Sequence, residues 1–175
     1  MKTIFVIGSP CAGKTVLAAR LYAYLLMKGK RVVHVPETVS LLIRQGKVTD
    51  PEDIPQRQIL DELHEKIGNY EETGLTDYII SEDNPLATRL YSPEVHSEEE
   101  WERAFKKYKG YYVKVEFDIY PDMYDKSTRL HSYEDSVKLD ERIDILQTKY
   151  KLPCIRVSRN TSMEDILLEM KTSSL

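Results

Sequence analysis

The window Gly8-Ser9-Pro10-Cys11-Ala12-Gly13-Lys14-Thr15 constrains this chain more than any other feature, because it carries the pattern G-x-x-x-x-G-K-[ST]. Before it runs Thr3-Ile4-Phe5-Val6-Ile7, a β-branched and aromatic stretch suited to a buried parallel strand. After it, Val16, Leu17, Leu21 and Leu25 recur at helical spacing. A strand, a glycine-bearing turn and a helix in that order give the turn a definite chemistry. Its amide N–H groups converge on one point at the positive end of the helix, where a phosphate is held. Lys14 reaches the outer phosphates, and the Thr15 hydroxyl is a ligand for Mg²⁺. Cys11 reads as a small filler of the turn rather than a redox switch.

The composition fits a single domain spanning residues 1–175. With 41% hydrophobic and 31% charged residues, neither disorder nor membrane spanning is expected. The run from Leu21 to Met27 is far below the roughly 20 apolar residues a bilayer needs. No basic-then-apolar leader opens the chain, and two cysteines cannot staple a domain of this size, so a cytoplasmic location is the expectation. A net charge of -4 argues against a protein that coats nucleic acid.

The rest of the chain supplies a scaffold around that turn. Arg31 to Pro36 reads as a second strand delivering Glu37, and Thr38 to Gln45 as a helix. Asp50-Pro51 resembles a helix start, continued on Ile59, Leu60, Leu63 and Ile67 and closed at Gly74. Tyr78 to Ser81 is a third strand ending in Glu82 and Asp83, the place for an acid that serves Mg²⁺. Ser97 with Glu100 forms a capping box for a helix running to Tyr108. Tyr111 to Tyr120 alternates apolar and charged residues, as a half-exposed or edge strand does. A helix begins at Ser132, Pro153 to Val157 is a last strand, and Thr161 with Glu164 caps a final helix. Five strands interleaved with helices predict a three-layer α/β sandwich with a mostly parallel sheet. Residues 121–132 lack apolar periodicity and carry Lys126, Arg129 and His131, which predicts a lid bearing a cation. Most of the twelve tyrosines are expected at the core boundary rather than stacked on a base.

Element order and the Gly8 to Thr15 motif together resemble the P-loop kinases of small molecules, especially deoxynucleoside and nicotinamide riboside kinases. The resemblance implies the P-loop NTPase fold, with ATP over Gly8, Ser9, Pro10, Cys11, Ala12, Gly13, Lys14 and Thr15. It implies that Glu37, in Val35-Pro36-Glu37, is the base near the acceptor hydroxyl. Asp83 matches the acid near the metal best, with Glu82 the other candidate. Glu82-Asp83-Asn84 departs from the acid–Arg–Ser triplet of many deoxynucleoside kinases, with Arg89 six residues on as a candidate substrate contact. Arg129 corresponds to their lid arginine, stabilising the γ-phosphoryl group together with Lys14. Arg159 and Asn160, after the last strand, lie where such kinases hold adenine.

The expected function is ATP- and Mg²⁺-dependent phosphoryl transfer to a hydroxyl of a nucleoside or related metabolite. The alternatives are a nucleoside monophosphate kinase, a kinase of a nucleic-acid hydroxyl, and a non-kinase NTPase. A monophosphate acceptor needs a cationic fork, for which Arg44 and Arg57 are the candidates. A GTPase switch would show an Asn-Lys-x-Asp motif, which this chain lacks. The acceptor, and whether the chain forms a homo-oligomer, stay open at this point.

Overall fold

A computed structural model describes residues 1–50, 53–107, 109–118, 124, 131–158 and 160–172. Five strands, β1 (Lys2–Ile7), β2 (Val32–Val35), β3 (Tyr78–Ser81), β4 (Tyr111–Val115) and β5 (Cys154–Val157), form one sheet in the order β2-β3-β1-β4-β5. Every pairing is parallel, with Ile4 opposite Ile80 and Val6 opposite Val113 at the centre. Parallel neighbours need crossovers, and among the described residues six helices supply them: α1 (Lys14–Met27), α2 (Thr38–Arg44), α3 (Gln56–Thr73), α4 (Pro85–Tyr91), α5 (Glu98–Lys107) and α6 (Tyr133–Tyr150); α7 (Met163–Thr172) follows the last strand.

The strand pleat sorts the core into two layers. Ile4, Val6, Ile80 and Val113 point to one face, where they meet Leu17, Leu21 and Leu25 of α1 and Ile166 and Met170 of α7. Phe5, Ile7, Ile79 and Tyr112 point to the other, against Leu60 and Leu63 of α3, Leu86 and Leu90 of α4, Trp101 and Phe105 of α5, and Leu139 and Ile143 of α6. The three-layer α/β sandwich is therefore the observed fold. β1 lies where the chain order reverses, so the crevice past its C-terminal end is the natural ligand site.

Three sequence expectations change. β4 ends at Val115 and is buried along its whole length, between β1 and β5, not half exposed or at an edge. Its apparent polar face is Lys114, only 1% exposed, whose ammonium donates to Asp140 at 2.8 Å and Asp144 at 2.7 Å on α6. The helix expected from Asp50 starts at Gln56 instead, after Pro55. The terminal helix is capped by Ser162, whose Oγ accepts from Asp165 N at 3.1 Å, while Thr161 Oγ1 accepts from Ser158 N at 2.9 Å. The Ser97–Glu100 box forms as expected, with Ser97 N donating to Glu100 at 2.7 Å and Glu100 N donating to Ser97 Oγ at 3.3 Å. Tyr108 and most of the expected lid, residues 121–123 and 125–130, lie outside the described residues, and with them Lys126 and Arg129.

Candidate active site

The turn after β1 is built to hold its backbone open. Gly13 caps α1 in the left-handed region at φ 100°, which a side chain rarely adopts. A Cβ on Gly8 would lie 3.0 Å from the Val115 carbonyl oxygen, so the close approach of turn and β4 requires glycine. Behind the turn, Ala12, Leu17 and Ala18 are buried and fix it to the core. Ser9 and Pro10 are buried as well, while Cys11 takes a positive φ of 64°. Lys14 folds back over the turn and donates to the carbonyls of Gly8 at 3.1 Å and Ser9 at 3.2 Å. A phosphate seated on the turn would replace those carbonyls as its partner.

An acid at the end of β3 completes the phosphate side. The Thr15 hydroxyl donates to Glu82 Oε2 at 2.6 Å, and Glu82 Oε1 lies 3.0 Å from His34 Nε2. Glu82 is almost fully buried, so these two partners hold its carboxylate in one orientation. The acid next to Thr15 is thus Glu82. Asp83 turns the other way and accepts from Thr38 N at 3.1 Å and Thr38 Oγ1 at 2.5 Å, which anchors the start of α2. Burial pushes the Asp83 carboxyl up to about 6, against the Thr38 hydrogen bonds that favour its charged form. The strand pleat carried this distinction: Ile80 faces α1, so two residues on Glu82 faces it too, while Ile79 and Asp83 share the opposite side.

Glu37 sits at the N-terminus of α2, with Oε1 3.8 Å from Lys14 Nζ and its other oxygen accepting from Ser40. Beyond it a cleft opens between the turn, α2 and α4. Val39, Ile43, Ile59 and Tyr91 form its apolar walls, and Gln56, Asn84 and Thr88 add polar groups. His131 stacks on Tyr91 at 5.5 Å between ring centres, so the described end of the 121–132 segment reaches this cleft. Burial lowers the His131 pKa and favours its neutral form. As it stands the cleft leaves about 60 Å³ of free space, room for a few waters.

Lys14, Thr15, Glu37 and Asp83 therefore come together, joined by Glu82. Arg44 is exposed at the last turn of α2 and does not line the cleft. Arg57 is exposed on α3 in a separate surface groove rimmed by Asp61, Glu62, Glu65 and Glu94. Arg89 donates to Tyr150 at 3.0 Å and Glu98 at 2.5 Å, which ties it to α5 and α6. Asn160 is exposed in the loop after β5, where its N–H donates to Ser158 Oγ at 3.3 Å; Arg159 lies outside the described residues. His34, Thr38 and Thr88 are site residues that the sequence did not single out, although helical spacing from Asn84 points to Thr88.

The hard oxygens of Thr15 and Glu82 suit Mg²⁺, which needs only one or two protein ligands beside phosphate oxygens and water. Among the described residues no cluster of three or more His, Cys, Asp or Glu side chains is placed to form an all-protein metal cage.

A family model described as AAA domain matches residues 3–165. Among solved structures, the thymidylate kinase from Ehrlichia chaffeensis superposes with a TM-score of 0.63 at 14% identity, over 98% of this chain and 97% of that one. No curated protein matches the sequence.

Proposed function

The chain belongs to the AAA-domain family, P-loop proteins that hold nucleoside triphosphates, and on that premise we propose that it is an ATP- and Mg²⁺-dependent kinase of a nucleoside-like hydroxyl. One observation carries the reading. Lys14 and Glu37 lie 3.8 Å apart on the boundary between the phosphate turn and a second, walled cleft. A protein that only hydrolyses its nucleotide has no need of such a walled acceptor pocket. The full-length likeness to thymidylate kinase supports the same arrangement of parts.

In the proposed mechanism Lys14 leaves the Gly8 and Ser9 carbonyls to bind the outer phosphates. Thr15 and Glu82 hold Mg²⁺, which when bound neutralises charge on the phosphates. Glu37 accepts the proton of the acceptor hydroxyl as its oxygen bonds the γ-phosphorus; the bond from that phosphorus to the β–γ bridging oxygen breaks, and ADP leaves. Arg129 adds positive charge from the lid. Asp83, through Thr38, holds the N-terminus of α2 so that Glu37 faces the turn. Arg159 and Asn160 are the proposed adenine contacts. The single domain with a lid at 121–132 works as one unit, in the cytoplasm. No helix among the described residues is long and apolar enough to cross a membrane.

The acceptor side favours a nucleoside over a monophosphate. Its lining carries Glu37, Glu82 and Asp83 against Lys14, and Arg44, Arg57 and Arg89 all lie elsewhere. A phosphate brought into that field would meet carboxylates first. The likeness to thymidylate kinase favours the monophosphate reading, so both classes belong in one assay. Purified protein with ATP and Mg²⁺ is offered nucleosides and nucleoside monophosphates, and ADP and phosphorylated product are both measured. Product formed from a nucleoside supports the proposal, whereas ADP release that ignores every acceptor overturns it. Glu37→Gln should keep ATP binding and lose roughly 10²- to 10⁴-fold in transfer.

A further inference from the structure

At the opposite end of the sheet, the starts of β4 and β5 and the C-terminal turns of α5 and α6 line an open-sided cavity of about 480 Å³. That is within the range of small-ligand sites, about 300–1,000 Å³. Its rim carries Lys106, Lys109, Lys149 and Lys151 against one acid, Glu102. This is the reverse of the cleft lining, where three carboxylates face one lysine. Lys149 is engaged by Glu98 at 2.5 Å, but Lys106, Lys109 and Lys151 have no ion-pair partner among the described residues. The walls are flat and apolar, from Phe105, Tyr150, Leu152 and Pro153. Tyr112 also lines the cavity; it is 1% exposed, and its hydroxyl has no hydrogen-bond partner among the described residues.

A helix dipole accounts for lysines in the last turns of α5 and α6. It accounts neither for Lys109, beyond the end of α5, nor for the cavity or the buried hydroxyl of Tyr112. Leaving a hydroxyl buried without a partner is costly, and a polar ligand edge would relieve that cost. We infer that this cavity is a second ligand site, for a nucleotide whose phosphates lie on Lys106, Lys109 and Lys151 and whose base lies against Phe105 and Tyr150 within reach of the Tyr112 hydroxyl. The site is separate from the P-loop and independent of what the cleft phosphorylates. α6 joins the two ends, from Ser132 beside the cleft to Tyr150 in the second cavity.

The test is calorimetric titration of the full-length Lys14→Ala protein, whose P-loop is disabled, with each of the four ribonucleoside diphosphates. One bound nucleotide per chain is expected, weakening as salt is raised. Lys106→Ala/Lys109→Ala/Lys151→Ala in that background should weaken it by roughly tenfold or more, and Tyr112→Phe by about fivefold. Failure of all four diphosphates to bind overturns the proposal, as does binding unchanged by the triple substitution, which would be residual occupancy of the P-loop. A single-stranded oligonucleotide that binds this face more tightly than any mononucleotide would also overturn it, in favour of a nucleic-acid surface. Because the three lysines are exposed, the triple variant should fold, and its thermal unfolding confirms that the comparison is fair.

Discussion

α1 and α2 both begin at the active site, and they are held in opposite ways. α1 buries Leu17, Ala18, Leu21 and Leu25 beneath the sheet, so the turn that leads into it is fixed to the core. α2 buries no residue; it is held at its first turn by the Thr38 hydrogen bonds to Asp83. The phosphate half is thus built in advance, while the acceptor half leans on polar contacts at the start of α2 and closes to about 60 Å³. Phosphate geometry is the same for every triphosphate donor and rewards rigidity. An acceptor pocket that must admit and release a larger group needs a wall that moves.

The largest effect that could break this contrast is on chemistry. Lys14→Ala should lower phosphoryl transfer by at least roughly 10²-fold, since it removes preorganised charge from the transferring group, and should leave the melting temperature nearly unchanged. A large loss of thermal stability instead would mean that Lys14 serves the fold. Next comes packing: Leu21→Ala in α1 should cost about 2–5 kcal/mol in denaturant unfolding, because it opens a cavity in a fully buried layer. In α2, Ile43→Ala should cost below about 1 kcal/mol yet raise the KM for the acceptor several-fold. If the two substitutions destabilise equally, α2 is not the looser wall.

A last effect is a pH dependence carried by His64 of α3, in the groove it shares with Thr3, Phe5 and Lys109. Burial, with Lys107 and His96 adding to it and Asp61 opposing it, pushes the His64 imidazole down to about 4. The unfolded chain binds that proton near its ordinary value of about 6.5. The stability tied to a neutral His64 is therefore complete above that value and is lost as pH falls from there toward 4. His64→Gln should flatten this part of the stability curve, and an unchanged slope would assign it to other groups.

How much of this was legible in the sequence depended on how local the cause was. The phosphate turn was readable because strand, glycines, Lys14 and helix are contiguous. Glu82 and Asp83 are adjacent, and choosing between them required knowing which face of β3 meets α1, a fact carried by parity rather than by motif. Lys114 was misleading for a physical reason: its partners Asp140 and Asp144 lie on a helix distant in sequence, so a buried ion pair reads as an exposed stripe. The start of α3 was misplaced because the Asp50-Pro51 signal is locally plausible, while Gln56 follows a second proline at Pro55. Arg44, Arg57 and Arg89 carry the right charge for an acceptor phosphate, but only tertiary structure reveals that none lines the cleft.

The one tryptophan of the chain has a practical consequence. Trp101 is fully buried, donates its indole N–H to the Pro93 carbonyl at 3.2 Å, and lies 6.0 Å from the ring of Phe105, a wall of the second cavity. It does not line the phosphate cleft. The protein thus carries an optical reporter at one end. Its emission should respond when the lysine-rimmed cavity fills and stay silent when the P-loop does, so the two occupancies can be followed separately without a label.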